Sequence, residues 1–245
     1  MSQRIALMIH GAFAGPWCFD GWRTRFEAAG WRVEAPWLRH HEPGGDAPAL
    51  ADTGLADYID DLSSAIADLP AKPVLVGHSL GGLLAQVLAE RGLAVAAVLL
   101  APARPWGIAP TSEDEVAAAL GLMSIGPFWT QTLYPAWEVA VANSLQMLPE
   151  AERRPVFDKF GPESGRVLLQ TMLWPLDLTR ASAVENIDCP VWVAAFGEDK
   201  VIAPGSVELI AQKYDAGFTT YAGRGHMGLL EPGWETICDD ALAWL

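Results

Sequence analysis

One serine lies in a pentapeptide whose residue types could carry nucleophilic chemistry. The pentapeptide Gly77–Gly81 reads Gly-His-Ser-Leu-Gly and stands between an apolar run that ends at Val76 and a helical pattern that begins at Leu80. At such a turn the serine is held in a strained conformation that presents its hydroxyl, and the glycines let strand and helix cross closely. The motif predicts Ser79 as a nucleophile and the Leu80 N–H, at a helix N-terminus, as an oxyanion donor. The alternative is a plain strand-to-helix turn.

A serine hydroxyl is a weak nucleophile without a base, and His226 is the candidate for that base. If the groups follow one another as nucleophile, acid and base, the base must lie after Ser79, and only one of the five histidines does. His226 stands in the glycine-rich segment 223–228, directly after a predicted strand, so its imidazole could reach the sheet edge where Ser79 emerges. The alternative is a histidine of the core or the surface.

The acid of such a triad is expected between the serine and the histidine, at the end of the predicted strand 191–196. Asp199 is the first choice, because its carboxylate could accept a hydrogen bond from His226 Nδ1–H and fix the tautomer of the ring. Glu198 is the second candidate, and Asp177 is the third.

A second oxyanion donor is expected from the loop that follows the first predicted strand. The segment His10–Gly15 reads His-Gly-Ala-Phe-Ala-Gly, and the N–H of Ala12 or of Phe13 could turn toward the serine. Such a loop is a weak signal alone. Together with the Ser79 turn it predicts two convergent N–H donors, which a tetrahedral intermediate requires.

Short apolar runs alternate with helical patterns in the elements that must position these residues. The alternation predicts an α/β fold with a mostly parallel sheet covered by helices on both faces. The predicted strands are 4–9, 33–35, 74–76, 95–100, 191–196 and 218–221, and the predicted helices are 17–29, 52–69 with Asp52 or Thr53 as its cap, 80–91, 206–214 and 234–244.

The alternation stops over residues 104–181, where the sequence shows helical periodicity and predicts no strand. We therefore expect one α/β domain, with a core of residues 1–103 and 182–245 and a helical lid inserted at 104–181; the alternative is two independent domains. The insertion is rich in aromatic residues. Candidate substrate contacts are Phe13 and, in the insertion, Trp106, Phe128, Trp129, Trp137 and Trp174. Helical spacing makes the core of the lid the alternative role for most of them.

Composition limits the partners. The chain has 245 residues and a net charge of −14, so its surface repels nucleic acid and anionic membranes. Three cysteines do not form a disulfide framework, and no secretory signal or membrane-spanning run is present, so a cytoplasmic location is expected. The segment His40-His41-Glu42 lacks the usual spacing of metal ligands and is predicted to be a solvated loop, with a substrate contact as the alternative. We expect no metal site.

These motifs together resemble the α/β-hydrolase superfamily over essentially the whole chain. The order of Ser79, Asp199 and His226, the His-Gly loop and the position of the lid all match. By that resemblance the oxyanion donors are the N–H groups of Ala12 and Leu80. The early first strand and the Gly-Pro-Trp-Cys segment from Gly15 are similar to the plant-esterase and hydroxynitrile-lyase branch, from which the lid departs.

The resemblance implies a serine hydrolase that cleaves carboxylic esters with an apolar acyl or aryl group and needs no cofactor. A nucleophilic serine excludes dehalogenase and epoxide-hydrolase relatives, which carry aspartate at that position. Two alternatives remain: other chemistry on the same triad (thioesterase, lactonase, C–C hydrolase, hydroxynitrile lyase or cofactor-free haloperoxidase) and a small-molecule receptor with little turnover. The expected partner is a small-molecule ester, and the expected assembly is a monomer or a homodimer.

Overall fold

A six-stranded sheet runs through the computed structural model, which describes residues 4–245. The strand order is β2-β1-β3-β4-β7-β8, and every neighbouring pair is parallel. The strands are β1 (Ile5–Ile9), β2 (Arg32–Glu34), β3 (Val74–His78), β4 (Ala96–Leu100), β7 (Val191–Phe196) and β8 (Gly217–Tyr221). The predicted α/β fold with a mostly parallel sheet is confirmed, and each predicted strand is present within two residues of its expected bounds.

Helices cover both faces of this sheet because its central strands are apolar on both sides. Every residue of β1, β3, β4 and β7 is buried. One face packs against α3 (Leu55–Ala67), α4 (Leu80–Glu90) and α9 (Pro204–Lys213). The other face packs against α1 (Asp20–Ala28) and α10 (Trp234–Trp244). The two cores hold the carboxyl ends of the strands together at one edge.

Helices α1, α3 and α9 begin at Asp20, Leu55 and Pro204, where the sequence predicts 17, 52 and 206. A 3₁₀ turn (Pro16–Phe19) precedes α1, and a short helix, α2 (Ala47–Asp52), was not predicted. Helix α3 is capped by Gly54 rather than by Asp52 or Thr53. The Gly54 N–H donates to Asp57 Oδ2 at 2.8 Å, so a carboxylate from inside the first turn stabilises the helix start.

A long segment, residues 101–190, joins β4 to β7 and is termed the inserted segment below. It contains α5 (Glu113–Ser124), α6 (Trp137–Asn143), α7 (Glu150–Phe157) and α8 (Gly165–Met172). It also contains β5 (Thr132–Leu133) and β6 (Glu163–Ser164), which pair antiparallel, so the prediction of no strand here was wrong. Two-residue strands are too short to show an alternating pattern. The action of this segment as a lid stays a prediction.

Across residues 4–245, no helix combines the length and the apolar character needed to cross a membrane.

Candidate active site

Ser79 occupies the turn between β3 and α4 in a backbone conformation that is rare for any residue but glycine. Its φ is +54° and its ψ is −120°. A Cβ on Gly77 would lie 2.3 Å from Gly81 O, and a Cβ on Gly81 would lie 2.0 Å from Ile9 O. Glycine is therefore required at both positions, because strand, turn and helix approach one another backbone to backbone.

Backbone hydrogen bonds to the end of β4 and to the residues that follow it stabilise the strained conformation of Ser79. The Ser79 N–H donates to Leu100 O at 3.1 Å, and the Ala103 N–H donates to Ser79 O at 2.8 Å. A conformation of this kind costs of order 1–3 kcal/mol and persists only where the surroundings over-determine it. The turn thus presents the Ser79 hydroxyl in a defined direction at the carboxyl edge of the sheet.

Ser79, His226 and Asp199 form one hydrogen-bonded chain. The distance from His226 Nε2 to Ser79 Oγ is 3.0 Å, and that from His226 Nδ1 to Asp199 Oδ2 is 2.8 Å. All three residues are buried. Because an ionised carboxylate can only accept, Nδ1 carries the proton and Nε2 is free to accept from the serine hydroxyl. The arrangement can remove a proton from Ser79 and store it on the imidazole.

Of the three candidates for the acid, Asp199 is the one whose carboxylate contacts His226. Asp199 Oδ1 accepts from the N–H groups of Val201 and Ile202, at 2.7 and 3.0 Å, so the turn after β7 fixes the carboxylate. Glu198 is exposed. Asp177 is buried but binds Thr179 and the Ala181 N–H within the inserted segment.

The loop after β1 runs directly beside Ser79. A Cβ on Gly11 would lie 3.0 Å from Ser79 Cβ, which is tighter than most Cβ contacts, so the close approach favours glycine. Leu80 is the first residue of α4, and its N–H is one of those that a helix leaves without an internal partner. The Ala12 N–H belongs to the peptide unit that begins at Gly11. Phe13 has a φ of +61°, and its carbonyl accepts from Gly161 N at 2.8 Å. The donor roles of Ala12 and Leu80 stay predictions.

Two residues that the sequence analysis missed hold the main chain around His226. His78 Nε2 lies 2.8 Å from His226 O, and the His78 ring is 4.8 Å from the His226 ring. Burial, together with the nearby His226, lowers the pKa of His78 to about 3, so this ring is neutral and donates through Nε2–H. Glu231 accepts from the Gly225 N–H at 3.0 Å with both oxygens, and burial raises the pKa of its carboxyl. His78 stands next to Ser79 in the motif, whereas Glu231 carries no local signal.

The aromatic residues proposed as substrate contacts pack among themselves in the inserted segment. Trp106 and Trp174 have ring centroids 5.0 Å apart, and the Arg180 guanidinium lies 4.1 Å above the Trp106 ring. Phe128 is fully buried against Trp129, which is itself exposed.

The other two residues of this set are Trp137, in α6 of the inserted segment, and Phe13, outside that segment. Trp137 contacts Phe157 at 5.1 Å, and Phe13 is partly buried in the loop after β1. The substrate-binding role of all six aromatic residues stays a prediction.

The loop after β2 is not solvated throughout, so that prediction was wrong for one residue. His40, His41 and Glu42 all border a groove of about 560 Å³ between this loop and the inserted segment. The His41 side chain is nevertheless buried, and its Nε2 lies 3.1 Å from Glu163 Oε2. The partner is 122 residues away in the chain, which is why local sequence indicated a polar loop.

The chain shows sequence similarity to curated proteins over about a third of its length. A pyrethroid hydrolase from Sphingobium wenxiniae is 36% identical over 82 residues, which are 34% of this chain and 29% of that protein. A methyl jasmonate esterase from Vitis vinifera is 34% identical over 92 residues, covering 36% of this chain and 34% of that protein. The chain therefore spans about a third of the length of these curated relatives.

The structural similarity covers the whole chain. A methylesterase from Arabidopsis superposes with a TM-score of 0.71 over 99% of this chain and 100% of that one, at 18% identity, which shows a shared fold. The model of the alpha/beta hydrolase family matches residues 6–235. Because that match covers nearly all of the sequence, the chain belongs to the α/β hydrolase family.

Proposed function

We propose that the protein is a serine hydrolase that cleaves carboxylic esters through an acyl-enzyme on Ser79. One observation carries the proposal: Asp199, His226 and Ser79 are joined by hydrogen bonds of 2.8 and 3.0 Å at a strained strand-to-helix turn. This arrangement converts a weak nucleophile into an activated one. The curated relatives named above as a pyrethroid hydrolase and a methyl jasmonate esterase support an ester as the substrate.

In the first half of the reaction Ser79 Oγ attacks the ester carbonyl while His226 Nε2 takes the hydroxyl proton. The carbonyl oxygen becomes an oxyanion, which the N–H groups of Ala12 and Leu80 stabilise; each such donor contributes ~3–4 kcal/mol. The intermediate collapses, the bond to the leaving oxygen breaks, and His226 returns the proton to the departing alcohol. Asp199 keeps the imidazole in the required tautomer and stabilises its charged form.

In the second half a water molecule takes the place of the alcohol. His226 removes a proton from the water as it attacks the acyl carbon, and it returns that proton to Ser79 Oγ when the acid leaves. The sum is one ester and one water converted to one acid and one alcohol. The residues that carry these steps need no group beyond their own side chains and backbone.

The preferred substrate carries an apolar acyl or aryl group. The inserted segment supplies aromatic surface in the Trp106–Trp174 pair and in Trp129 and Trp137. Aromatic walls favour apolar and planar groups. A series of p-nitrophenyl esters of increasing chain length, with a benzoate, measures this preference as kcat/KM. A preference for acetate over all longer and aryl esters would contradict it.

The test of the nucleophile combines labelling with kinetics. Intact-mass analysis after treatment with a fluorophosphonate should show a single adduct on wild type and none on Ser79→Ala. We expect Ser79→Ala to lower kcat by a factor of ~10⁶, as loss of the nucleophile does in another serine hydrolase. Ser64→Ala is the matched control, because Ser64 is an exposed residue of α3. Full ester hydrolysis by Ser79→Ala would refute the proposal.

A further inference from the structure

His41 is a buried histidine whose two ring nitrogens both face acceptors. Nδ1 lies 3.0 Å from Arg39 O, and Nε2 lies 3.1 Å from Glu163 Oε2. Neither the His41 nor the Glu163 side chain has any exposed surface. A neutral imidazole has one N–H and could donate to only one of two acceptors, so an ionised Glu163 favours the ring that carries both protons and a positive charge. His41 and Glu163 therefore form a buried ion pair.

Glu163 joins three parts of the molecule through that pair. Its Oε1 accepts from Tyr58 Oη at 2.8 Å and from the Ser164 N–H at 2.7 Å. Tyr58 lies in α3, Glu163 in β6 of the inserted segment, and His41 in the loop after β2. Burial alone would lower the pKa of His41, but the charge and hydrogen bond of Glu163 outweigh it and raise that pKa above 6.5. The Glu163 carboxylate thus favours the charged form of the His41 ring.

The same loop reaches the peptide unit that carries the proposed oxyanion donor. The His41 ring packs edge-on against the His10 ring at 5.4 Å. The His41 N–H donates to Leu38 O at 3.0 Å, and the Leu38 N–H donates to His10 Nε2 at 3.1 Å. Because Nε2 accepts, the proton of His10 is on Nδ1, which donates to Gly11 O at 2.9 Å. Burial and the neighbouring His41 lower the pKa of His10 to about 3, which keeps the ring neutral.

The Gly11 carbonyl and the Ala12 N–H belong to one planar trans peptide unit, so a bond that fixes the first also fixes the direction of the second. We propose that the His41–Glu163 ion pair is a positioning device that holds His10, and through it the Ala12 N–H, in the orientation that oxyanion binding requires. The proposal rests on the esterase function proposed above.

Other ionisable groups near this pair are accounted for by their own partners. Tyr58 and His10 face His41 from α3 and from the end of β1. Arg39, on the same loop, pairs with Asp57 and Asp61 on α3. Among the described residues, His41–Glu163 is therefore the ion pair that links the inserted segment to the loop after β2.

The test replaces Glu163 by glutamine, which keeps the shape of the side chain and removes its charge. In Glu163→Gln we expect kcat to fall about tenfold or more while KM changes less than about threefold, because oxyanion donors act on the transition state. The high-pH limb of kcat should move to lower pH, because the carboxylate no longer raises the pKa of His41.

Glu115→Gln is the matched control. Glu115 is a buried carboxylate of α5 that lies 3.6 Å from Arg104 and accepts from Ser206 Oγ of α9 at 2.8 Å, so it also joins the inserted segment to the core. We expect this variant to lose stability without a change in kcat or in the pH profile. Equal loss of kcat in both variants would overturn the proposal, since a general loosening of the inserted segment would then account for it.

A second readout does not depend on catalysis. The quantity measured is the protection of the backbone amides of residues 11–15 from hydrogen exchange, relative to the intrinsic exchange rate. This protection should fall in Glu163→Gln. In wild type it should fall as His41, followed by NMR, loses its proton at high pH. Unchanged protection in both experiments would overturn the positioning role even if ester hydrolysis is established. Loss of protection in a protein without Ser79-dependent hydrolysis would support the positioning role and refute the proposed function alone.

Discussion

Replacing Asp199 by asparagine changes one atom of the side chain and reverses one hydrogen bond of the site. Asp199 Oδ1 accepts from two backbone N–H groups, at 2.7 and 3.0 Å, and this demand holds the amide oxygen of an asparagine in the same place. The amide nitrogen must then occupy the position of Oδ2, 2.8 Å from His226 Nδ1. Since that nitrogen can only donate, Nδ1 becomes an acceptor and the proton moves to Nε2.

The consequence falls on Ser79. With a proton on His226 Nε2, the imidazole can no longer accept the serine proton across the 3.0 Å contact. We expect kcat to fall by ~10⁴, the loss that this tautomer change causes in another serine hydrolase. At 1.36 kcal/mol per factor of ten, this is about 5.4 kcal/mol of transition-state stabilisation. The free energy of unfolding should change by less than about 1 kcal/mol, because every backbone donor keeps its acceptor.

The assay is steady-state hydrolysis of a p-nitrophenyl ester, with denaturant unfolding measured on the same preparations. Glu198→Gln is the control, because it makes the same chemical change on the exposed neighbouring residue. A kcat for Asp199→Asn within tenfold of wild type would refute the assignment of the acid. If the loss appeared in Glu198→Gln instead, the acid would lie one residue earlier.

Two further predictions concern stability. A Cβ at Gly81 would lie 2.0 Å from Ile9 O, so Gly81→Ala should lower the free energy of unfolding by about 3 kcal/mol. Gly121→Ala is the control and should cause no such loss, because the space around Gly121 is open. Equal losses in the two variants would contradict this prediction. The pKa values of His10 and His78, lowered to about 3, mean that the unfolded chain takes up protons below pH 6.5 and the native state does not. The contribution of each of these two histidines to the free energy of unfolding should therefore fall by about 1.4 kcal/mol between pH 7.5 and pH 5.5. The raised pKa of His41 acts in the opposite direction and makes the net loss smaller. A protein that is more stable at pH 5.5 than at pH 7.5 in urea unfolding would refute this prediction.

Local sequence was sufficient for the fold class and for the turn that presents Ser79. The turn around Ser79 needs glycine at two close backbone approaches, and both glycines stand within two residues of the serine. The buried strands are continuous apolar runs because both faces of a parallel sheet are covered, and such runs are visible without tertiary information. The base followed from chain order, since only His226 lies after Ser79.

Tertiary structure decided what depends on partners distant in the chain. Asp199 and Glu198 are adjacent and chemically alike, and the choice between them rests on the turn whose N–H groups of Val201 and Ile202 hold one carboxylate inward. His41 shows the limit more clearly. Three consecutive polar residues indicate a solvated loop, yet the middle one is buried because a carboxylate 122 residues away compensates its charge. Burial of a charged group is a property of the pair, and only the fold brings the pair together.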